Sequence, residues 1–342
     1  MKILSISYAL PSKRVGNEEL IEEILDRNRA HLSDVQLQTL EEKLRRFFRM
    51  SGTRYRYHRA QGEKAFDFAV KAGQQALKEA GVDPQDVDLL IYAGVGRGWV
   101  EPATANLFQS ELGLRSATCF DVLDACASWI RSLAIAKSFL AQKMYRLVMI
   151  LNCEFNFREY ANFEVRSEED LEKSFSAFTI GEAATATLVT NREDDDSEFT
   201  FKTWGEKHSL CKIALPNAGD FSPNGERIKP MAFFTAPAEL LTFTVRQLVA
   251  HFRETSSLAS KAYDLIVGHA VSVASTLRAA RLMGLDVTRV FETHDRFGNT
   301  VSASLPLGLA VAEDEGRLHR GDRVLLVMGS AGVTTALASF EY

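Results

Sequence analysis

The stretch FDVLDACASWIRSLAIAKSFL, residues 120–140, changes from a strand pattern to a helix pattern around a cysteine. An apolar run from Phe120 to Leu123 ends at Asp124, and apolar side chains then recur at positions 130, 133, 134, 136 and 140, which is the spacing of a helix. A cysteine in the first turn of that helix would lie near unpaired backbone N–H groups and the positive end of the helix dipole, which favours the thiolate. Cys126 is therefore a candidate nucleophile; the alternative is an ordinary buried thiol.

Strand and helix patterns alternate along the whole chain. The strand-like runs are DLLIYAG, YRLVMIL, ATATLVT, YDLIVGH and DRVLLVMG, and they are rich in Val, Ile and Leu on both faces. Strands that are apolar on both faces are typical of sheets covered by helices on both sides. The sequence therefore predicts an α/β protein.

Two segments of the chain resemble each other. Residues 88–114 and 264–285 each run from an Asp through an apolar strand, a glycine, a polar loop and a helix to Gly-Leu, and a short strand follows each of them. A duplicated half-domain accounts for this similarity. We place the boundary in the acidic stretch NREDDDSE, which gives halves 1–195 and 196–342. Equivalent turns of the two halves are expected to meet at one crevice.

Composition excludes several classes of protein. The chain has 342 residues, of which 46% are hydrophobic and 25% charged, as in soluble globular proteins. A net charge of -5 gives no reason to expect nucleic acid as a partner. The four cysteines have no CxxC spacing, so we expect no metal site, no disulfide framework and a cytoplasmic location. The first residues alternate like a strand as far as Pro11, and no apolar run is long enough to span a membrane.

Cys126, His269 and Asn299 all lie at predicted strand-to-helix turns. Taken singly, His269 could be a core histidine and Asn299 a turn residue. Together, however, FDVLDACAS, LIVGHAVS, DRFGNTVSASLPLGLA and the final VLLVMGSAGVTTALASF resemble the thiolase superfamily, specifically its ketoacyl synthase III branch. The resemblance implies a five-layer αβαβα fold, a homodimer and no bound cofactor. Coenzyme A or phosphopantetheine would carry the acyl group as a thioester, on acyl-CoA or an acyl carrier protein.

The same resemblance implies a role for each site residue. Cys126 would take an acyl group from a thioester, which divides one condensation into two easier steps. His269 and Asn299 would polarise the carbonyl of the second thioester and hold its enolate. The N–H of Cys126 and an N–H from the GSAG loop, at Ala331 or Gly332, would form an oxyanion hole.

Glu101, in RGWVEPATANLF, distinguishes between two kinds of condensation. It could simply complement the dipole of the following helix. The fatty-acid-initiating synthases typically have an apolar residue here, whereas a glutamate is similar to the OleA-type enzymes that join two fatty acyl-CoAs head to head. Condensing two plain acyl thioesters requires a base for the α-proton, and a carboxylate beside the nucleophile could supply it. We therefore expect a non-decarboxylative Claisen step with Glu101 as base.

The resemblance is incomplete where the carrier would bind. Ala270-Val271-Ser272 follow the histidine in place of Gln-Ala-Asn, and Ala274 stands where an arginine is expected. Arg278, one helical turn further on, could substitute.

Other candidates for substrate binding come from a basic stretch and from aromatic residues. Residues 45–59, RRFFRMSGTRYRYHR, include Arg45, Arg46 and Arg54, which could meet the phosphates of a carrier or could simply face solvent. Phe155 and Phe175 are candidates for an acyl pocket, although aromatic residues are as often ordinary core.

Three other functions remain open on the sequence. The same fold and thiol could condense decarboxylatively with a malonyl unit, or could transfer the acyl group to a hydroxyl or an amine. A catalytically idle partner subunit is the third possibility, and the retention of Cys126, His269 and Asn299 argues against it. We expect lipid or polyketide biosynthesis as the setting.

Overall fold

The computed structural model describes residues 1–222, 229–269 and 271–342. Within them, two five-stranded sheets draw their strands from opposite sides of the acidic loop that follows residue 190. The first sheet contains β1 (Lys2–Ala9), β4 (Leu89–Ala93), β5 (Thr118–Val122), β6 (Leu147–Glu154) and β7 (Ala183–Thr190). The second contains β8 (Glu198–Thr203), β11 (Leu265–Gly268), β12 (Val290–Phe291), β13 (Arg323–Ser330) and β14 (Thr334–Glu341). Two smaller sheets pair β2 (Lys13–Gly16) with β3 (Tyr55–His58), and β9 (Cys211–Ile213) with β10 (Phe233–Thr235).

The two large sheets repeat one topology. The order is β1-β7-β6-β4-β5 in the first and, read from the corresponding edge, β8-β14-β13-β11-β12 in the second. The two pairs nearest β1 and β8 are antiparallel, and the two nearest β5 and β12 are parallel, in both sheets. This repetition confirms the duplicated mixed-sheet fold predicted from the sequence. The boundary at residue 195 falls between β7 and β8 and stays a prediction.

Helices separate and cover the sheets. The outer face of the first sheet carries α3 (Ala65–Ala80) and α4 (Thr104–Glu111), and that of the second carries α8 (Pro237–Glu254) and α10 (Val273–Met283). Between the sheets lie α5 (Ser128–Ala141) and α12 (Ser304–Asp314). The connecting helices are α1 (Asn17–Asn28), α2 (Asp34–Ser51), α6 (Phe157–Tyr160), α7 (Glu168–Phe178), α9 (Ser256–Ala259) and α11 (His294–Phe297). The result is the five-layer arrangement of the thiolase fold.

The central helix α12 is enclosed on all sides. Every residue of α12 from position 304 to 312 is buried, because α12 contacts β1 and β7 on one side and β11 on the other. A helix that is apolar all round is stable only when it is enclosed in this way. Enclosure fixes the first residues of α5 and α12, and both candidate catalytic loops, at Cys126 and Asn299, lead into these helices.

No helix in the described ranges is long and apolar enough to cross a membrane.

Candidate active site

One apolar cavity of about 1030 Å³ brings the main candidate residues together. Its walls include Cys126, His269, Asn299 and Ala331. Gly332, the other candidate in the oxyanion loop, is not among the lining residues. Sequence positions more than 200 residues apart thus meet at one crevice, as expected for equivalent turns of two fused halves.

Cys126 lies in a sharp connection between β5 and α5. The helix begins at Ser128 with Ala127 as its N-cap, so Cys126 lies one residue before the N-cap rather than in the first helical turn. The preceding residue, Ala125, has a φ of 45°, a left-handed conformation that is unusual for a residue with a side chain. This turn presents the sulfur to the cavity.

The thiol is not activated in the way that the sequence suggested. Burial raises the pKa of Cys126 above its ordinary value, and nearby Cys211 and Glu154 act in the same direction. The backbone N–H groups of Ala331 and Cys126 itself hydrogen-bond the sulfur and act in the opposite direction. Burial therefore favours the thiol over the thiolate that we expected from the sequence. Both N–H groups therefore lie at the sulfur, where they can donate to the carbonyl oxygen of a thioester that the sulfur attacks.

His269 follows β11, and only one of its two ring nitrogens has a hydrogen-bond partner among the described residues. The hydroxyl of Ser304 donates to the carbonyl of Val301 at 2.8 Å, so its oxygen accepts the Nδ1–H of His269 at 3.0 Å. Nε2 then carries a lone pair, is buried, and has no hydrogen-bond partner within the described residues. Burial, and to a smaller extent the charge of His294, lower the pKa of His269 to about 3. His269 is therefore a neutral ring at rest, and its Nε2 carries a lone pair.

Asn299 has a fixed orientation. Its Oδ1 accepts the backbone N–H of Val301 at 2.9 Å, so the side-chain NH₂ is the group left to donate into the cavity. Its backbone N–H donates to the carbonyl of Thr179 at 2.8 Å, and its carbonyl accepts from Gly181 at 3.1 Å. A side chain at neighbouring Gly298, where φ is 70°, would collide with the Thr179 carbonyl, so this position requires glycine.

Glu101 is not beside Cys126 in this chain. It is exposed, in the loop between β4 and α4, and it does not line the cavity. The reason is local: the carboxylate of Asp121 on β5 accepts the N–H groups of Thr104 and Ala105 at 2.8 and 2.9 Å. The start of α4, which follows the Glu101 loop, is thereby tied to the edge strand β5.

The candidate arginines also lie outside the cavity. Arg45 forms ion pairs with Glu18 and Glu41 on the outer side of α2, and Arg54 pairs with Asp295 at 2.5 Å. Arg46 and Arg278 do not line the cavity either, and both are exposed. Only the last turn of α2 reaches the cavity, so it is Arg49 that lines the wall, a residue that the sequence did not single out.

The two candidate phenylalanines pack in different clusters. Phe175 lines the cavity and packs against Phe47, with ring centroids 5.1 Å apart. Phe155 does not line it; it stacks on Phe68 at 5.3 Å in the core outside the first sheet. Phe155 is therefore a core residue, because it continues the outward-facing side of β6.

Glu154 and Ser304 are site residues that the sequence did not indicate. The buried Glu154 carboxylate accepts the N–H groups of Val95 and Gly96, both at 3.0 Å, and the hydroxyl of Ser302. It thereby joins the loop after β4 to the segment that follows Asn299. Burial raises the pKa of Glu154. An acidic residue that ends the apolar run LVMILNCE was the available signal, since a buried carboxylate needs several donors. No comparable signal marked Ser304.

Comparisons with known proteins agree on one family. Profiles described as 3-Oxoacyl-[acyl-carrier-protein (ACP)] synthase III and 3-Oxoacyl-[acyl-carrier-protein (ACP)] synthase III C terminal match residues 120–207 and 254–342. The beta-ketoacyl-[acyl-carrier-protein] synthase III of Symbiobacterium thermophilum is 29% identical over 290 residues, 83% of this chain and 85% of the relative. The solved synthase III of Thermus thermophilus is 26% identical with a TM-score of 0.84, covering 100% of this chain and 99% of that one. OleA E117A of Xanthomonas campestris shares the fold at 22% identity and a TM-score of 0.80, covering 99% and 97%.

Proposed function

Since the chain belongs to the ketoacyl synthase III-like enzymes of the thiolase superfamily, which are acyltransferases, we propose that it joins two acyl thioesters through an acyl-Cys126 intermediate. The observation that carries this proposal is the meeting of Cys126, His269, Asn299 and the Ala331 N–H at one apolar cavity. A nucleophile, a proton acceptor and oxyanion donors are the groups that acyl transfer requires.

In the first step, the Cys126 sulfur attacks the thioester carbonyl of an acyl-CoA or acyl carrier. Burial keeps the thiol protonated and His269 neutral at rest. The thiol proton therefore passes to Nε2 of His269, which has no partner among the described residues, only as the new carbon–sulfur bond forms. The N–H groups of Cys126 and Ala331 stabilise the oxyanion. The bond to the carrier sulfur then breaks, and the departing thiolate takes the proton from His269.

In the second step, the α-carbon of another acyl thioester attacks the carbonyl of acyl-Cys126. Its α-proton leaves to a base, and the side-chain NH₂ of Asn299 donates to the enolate oxygen that forms. The new carbon–carbon bond expels the Cys126 thiolate, which regains a proton. The product is a β-ketoacyl thioester on the second carrier.

We propose Glu101 as that base, acting in the cavity of a second copy of the chain in a homodimer. The strand β5 is an edge strand of the first sheet, with one side unpaired among the described residues. Exposed apolar side chains follow β5 and precede Glu101: Leu123 is 62% exposed and Val100 77%. Open, apolar edges of this kind favour pairing with another chain. Because Asp121 ties the start of α4 to this edge, pairing there would bring the preceding loop, with Glu101, close to the partner.

Decarboxylative condensation with a malonyl thioester is the second candidate function. Two observations favour it: Glu101 is outside the cavity of its own chain, and the curated relatives are named for the ketoacyl-carrier synthase reaction. Loss of carbon dioxide would then generate the carbanion, and no base for an α-proton would be needed.

The two candidates differ in how Glu101→Gln behaves. With a saturated acyl-CoA in heavy water, the proposed enzyme exchanges α-deuterium and condenses, and Glu101→Gln keeps acyl-Cys126 formation but loses exchange and condensation about 100- to 10,000-fold. Glu111→Gln, an exposed glutamate on α4, is the matched control and should behave as wild type. If wild type neither exchanges nor condenses such a substrate, and Glu101→Gln turns over malonyl thioester at the wild-type rate, the decarboxylative function replaces the proposal.

A further inference from the structure

The N–H of Ala331 comes from the second half of the molecule. Ala331 lies in the turn of residues 331–333, which joins β13 to β14 where Ser330 pairs with Thr334. We call this segment the oxyanion turn. At its far end, the N–H and the carbonyl of Val333 bond the carbonyl and the N–H of Trp204, at 3.1 and 2.8 Å. This end of the turn is thereby fixed to its own half.

The second N–H at the sulfur, that of Cys126 itself, comes from the first half. Cys126 lies in the segment of residues 124–127, which we call the Cys126 turn. Both N–H groups can donate to one oxygen only if the two turns keep a fixed spacing. Within the residues that the structure describes, no backbone–backbone hydrogen bond joins the Cys126 turn to the oxyanion turn. The spacing therefore has to be held by side chains.

Ser330, the last residue of β13, connects the two turns. Side chains alternate along a strand, and a Cβ at Gly329 would meet α8 in the outer layer, so Ser330 faces the central layer. Its buried hydroxyl donates to the carbonyl of Asp124 at 3.2 Å and accepts the N–H of Ala127 at 3.2 Å. Asp124 and Ala127 lie on either side of Cys126. One hydroxyl thus joins the two halves of the molecule at the nucleophile.

The Cys126 turn does not need Ser330 to keep its own shape. The N–H of Ala127 also donates to the carbonyl of Asp124 at 2.9 Å, and the Ser128 hydroxyl accepts the N–H of Asp124 at 2.8 Å. Removal of the Ser330 hydroxyl would leave these bonds in place and break only those between the halves. The effect would fall on the distance between the two N–H groups, and an oxyanion hole depends on donors that are fixed in advance.

We propose that Ser330 is a positioning residue of the oxyanion hole, which holds the Ala331 N–H of the second half at a fixed distance from the Cys126 N–H of the first. Ser330 acts through these two groups. The inference rests on the proposed acyl-Cys126 intermediate. Acylation and the later attack by the enolate both place an oxyanion on the carbon that is bound to the Cys126 sulfur. Ser330 therefore serves both steps.

The test measures the two steps separately in Ser330→Ala. The donor is whichever of acetyl-, octanoyl- and palmitoyl-CoA acylates wild type fastest, and condensation is followed from isolated acyl-enzyme with the same acyl-CoA or malonyl-CoA. Acylation and condensation should each slow about 10- to 100-fold, because a displaced donor costs less than a missing one. Ser330→Thr, which keeps the hydroxyl, should restore both rates.

Ser5→Ala is the matched control. It removes a buried hydroxyl that donates to the carbonyl of Ala76 at 2.8 Å, on the outer side of the first sheet. Both rates per folded molecule should stay at the wild-type value.

The infrared band of the acyl-enzyme carbonyl, labelled with carbon-13, gives a readout that loss of stability alone would not move. Two N–H donors polarise this carbonyl and lower its stretching frequency, so the band should move to higher frequency in Ser330→Ala and stay in place in Ser5→Ala. An unshifted band with wild-type rates in Ser330→Ala overturns the inference while the proposed function stands, and so does a fall in only one of the two steps. If wild type forms no adduct with any acyl-CoA or acyl carrier, both fail.

Discussion

The two halves of the molecule repeat one topology, yet one pair of equivalent loops differs in whether its candidate residue faces the cavity. The loop after β4 carries Glu101 and the loop after β11 carries His269; the loop after β5 carries Cys126 and that after β12 leads to Asn299. Cys126, His269 and Asn299 face one cavity, whereas Glu101 is exposed. A duplicated fold therefore fixes where a functional loop begins but not which way its side chains face.

The first residues of the two central helices show how the halves diverged. Both α5 and α12 begin with a serine. Ser304 reaches across to His269 and sets its ring, whereas Ser128 stays within its own loop, where its hydroxyl donates to the Ala125 carbonyl at 2.7 Å and accepts the Asp124 N–H at 2.8 Å. One serine positions a reacting group, and the other supports the turn that presents Cys126.

The largest expected effect separates the two polar residues of the second half. His269→Ala should slow acylation of Cys126 about 100- to 10,000-fold, because the buried thiol loses its proton acceptor. Asn299→Ala should keep acylation near the wild-type rate and lower condensation about 100- to 1,000-fold, because an enolate donor is lost. Single-turnover acylation and product formation are measured separately. Full acylation in both variants would contradict this role. It would mean that His269 polarises the carbonyl of the second thioester, as we expected from the sequence.

Packing differs between the layers, and stability should reflect this. Leu309→Ala, in the enclosed central helix, should lower the free energy of unfolding by about 4 kcal/mol, toward the upper end of core truncations. Leu248→Ala, on α8 in the wall of the cavity, should cost about 2 kcal/mol, since part of its surface already borders unfilled space. Chemical denaturation measures both, and equal losses would mean that this part of the cavity is closed in solution.

The two serines should differ in the kind of effect that each one has. Ser304→Ala should lower the acylation rate about 10-fold, because Nδ1 of His269 loses the acceptor that keeps Nε2 free, and Ser304→Thr should restore it. Ser128→Ala should lower stability by about 1 kcal/mol and leave the acylation rate per folded molecule unchanged. Rates are compared at equal folded fraction across pH. Loss of activity in Ser304→Ala that only follows its loss of stability would reduce Ser304 to a structural residue.

The sequence was sufficient for the features that depend on local pattern. The apolar runs became β4, β6, β7, β11 and β13, and the similarity between 88–114 and 264–285 became the repeated sheet. Cys126, His269 and Asn299 could be proposed because each ends a strand and matches a family motif.

Features that depend on how a loop or side chain is oriented in the folded protein could not be predicted. Arg45 and Arg49 are one helical turn apart in the same basic stretch, but only the end of α2 reaches the cavity. Phe155 and Phe175 look alike in sequence but pack in different clusters, and only Phe175 lines the cavity. The direction of the Glu101 loop depends on hydrogen bonds to Asp121, which follows it by 20 residues.

The central claim is that Cys126 alone carries the acyl group, and adduct mapping tests it most directly. Cys211 is the informative control, because it lines the same cavity, and Cys119 and Cys153 lie outside it. After incubation with acyl-CoA, peptide mass spectrometry should find one adduct, on the peptide with Cys126. The adduct should disappear in Cys126→Ser and persist in Cys211→Ser. An adduct that maps to Cys211, or one that survives in Cys126→Ser, would contradict the account.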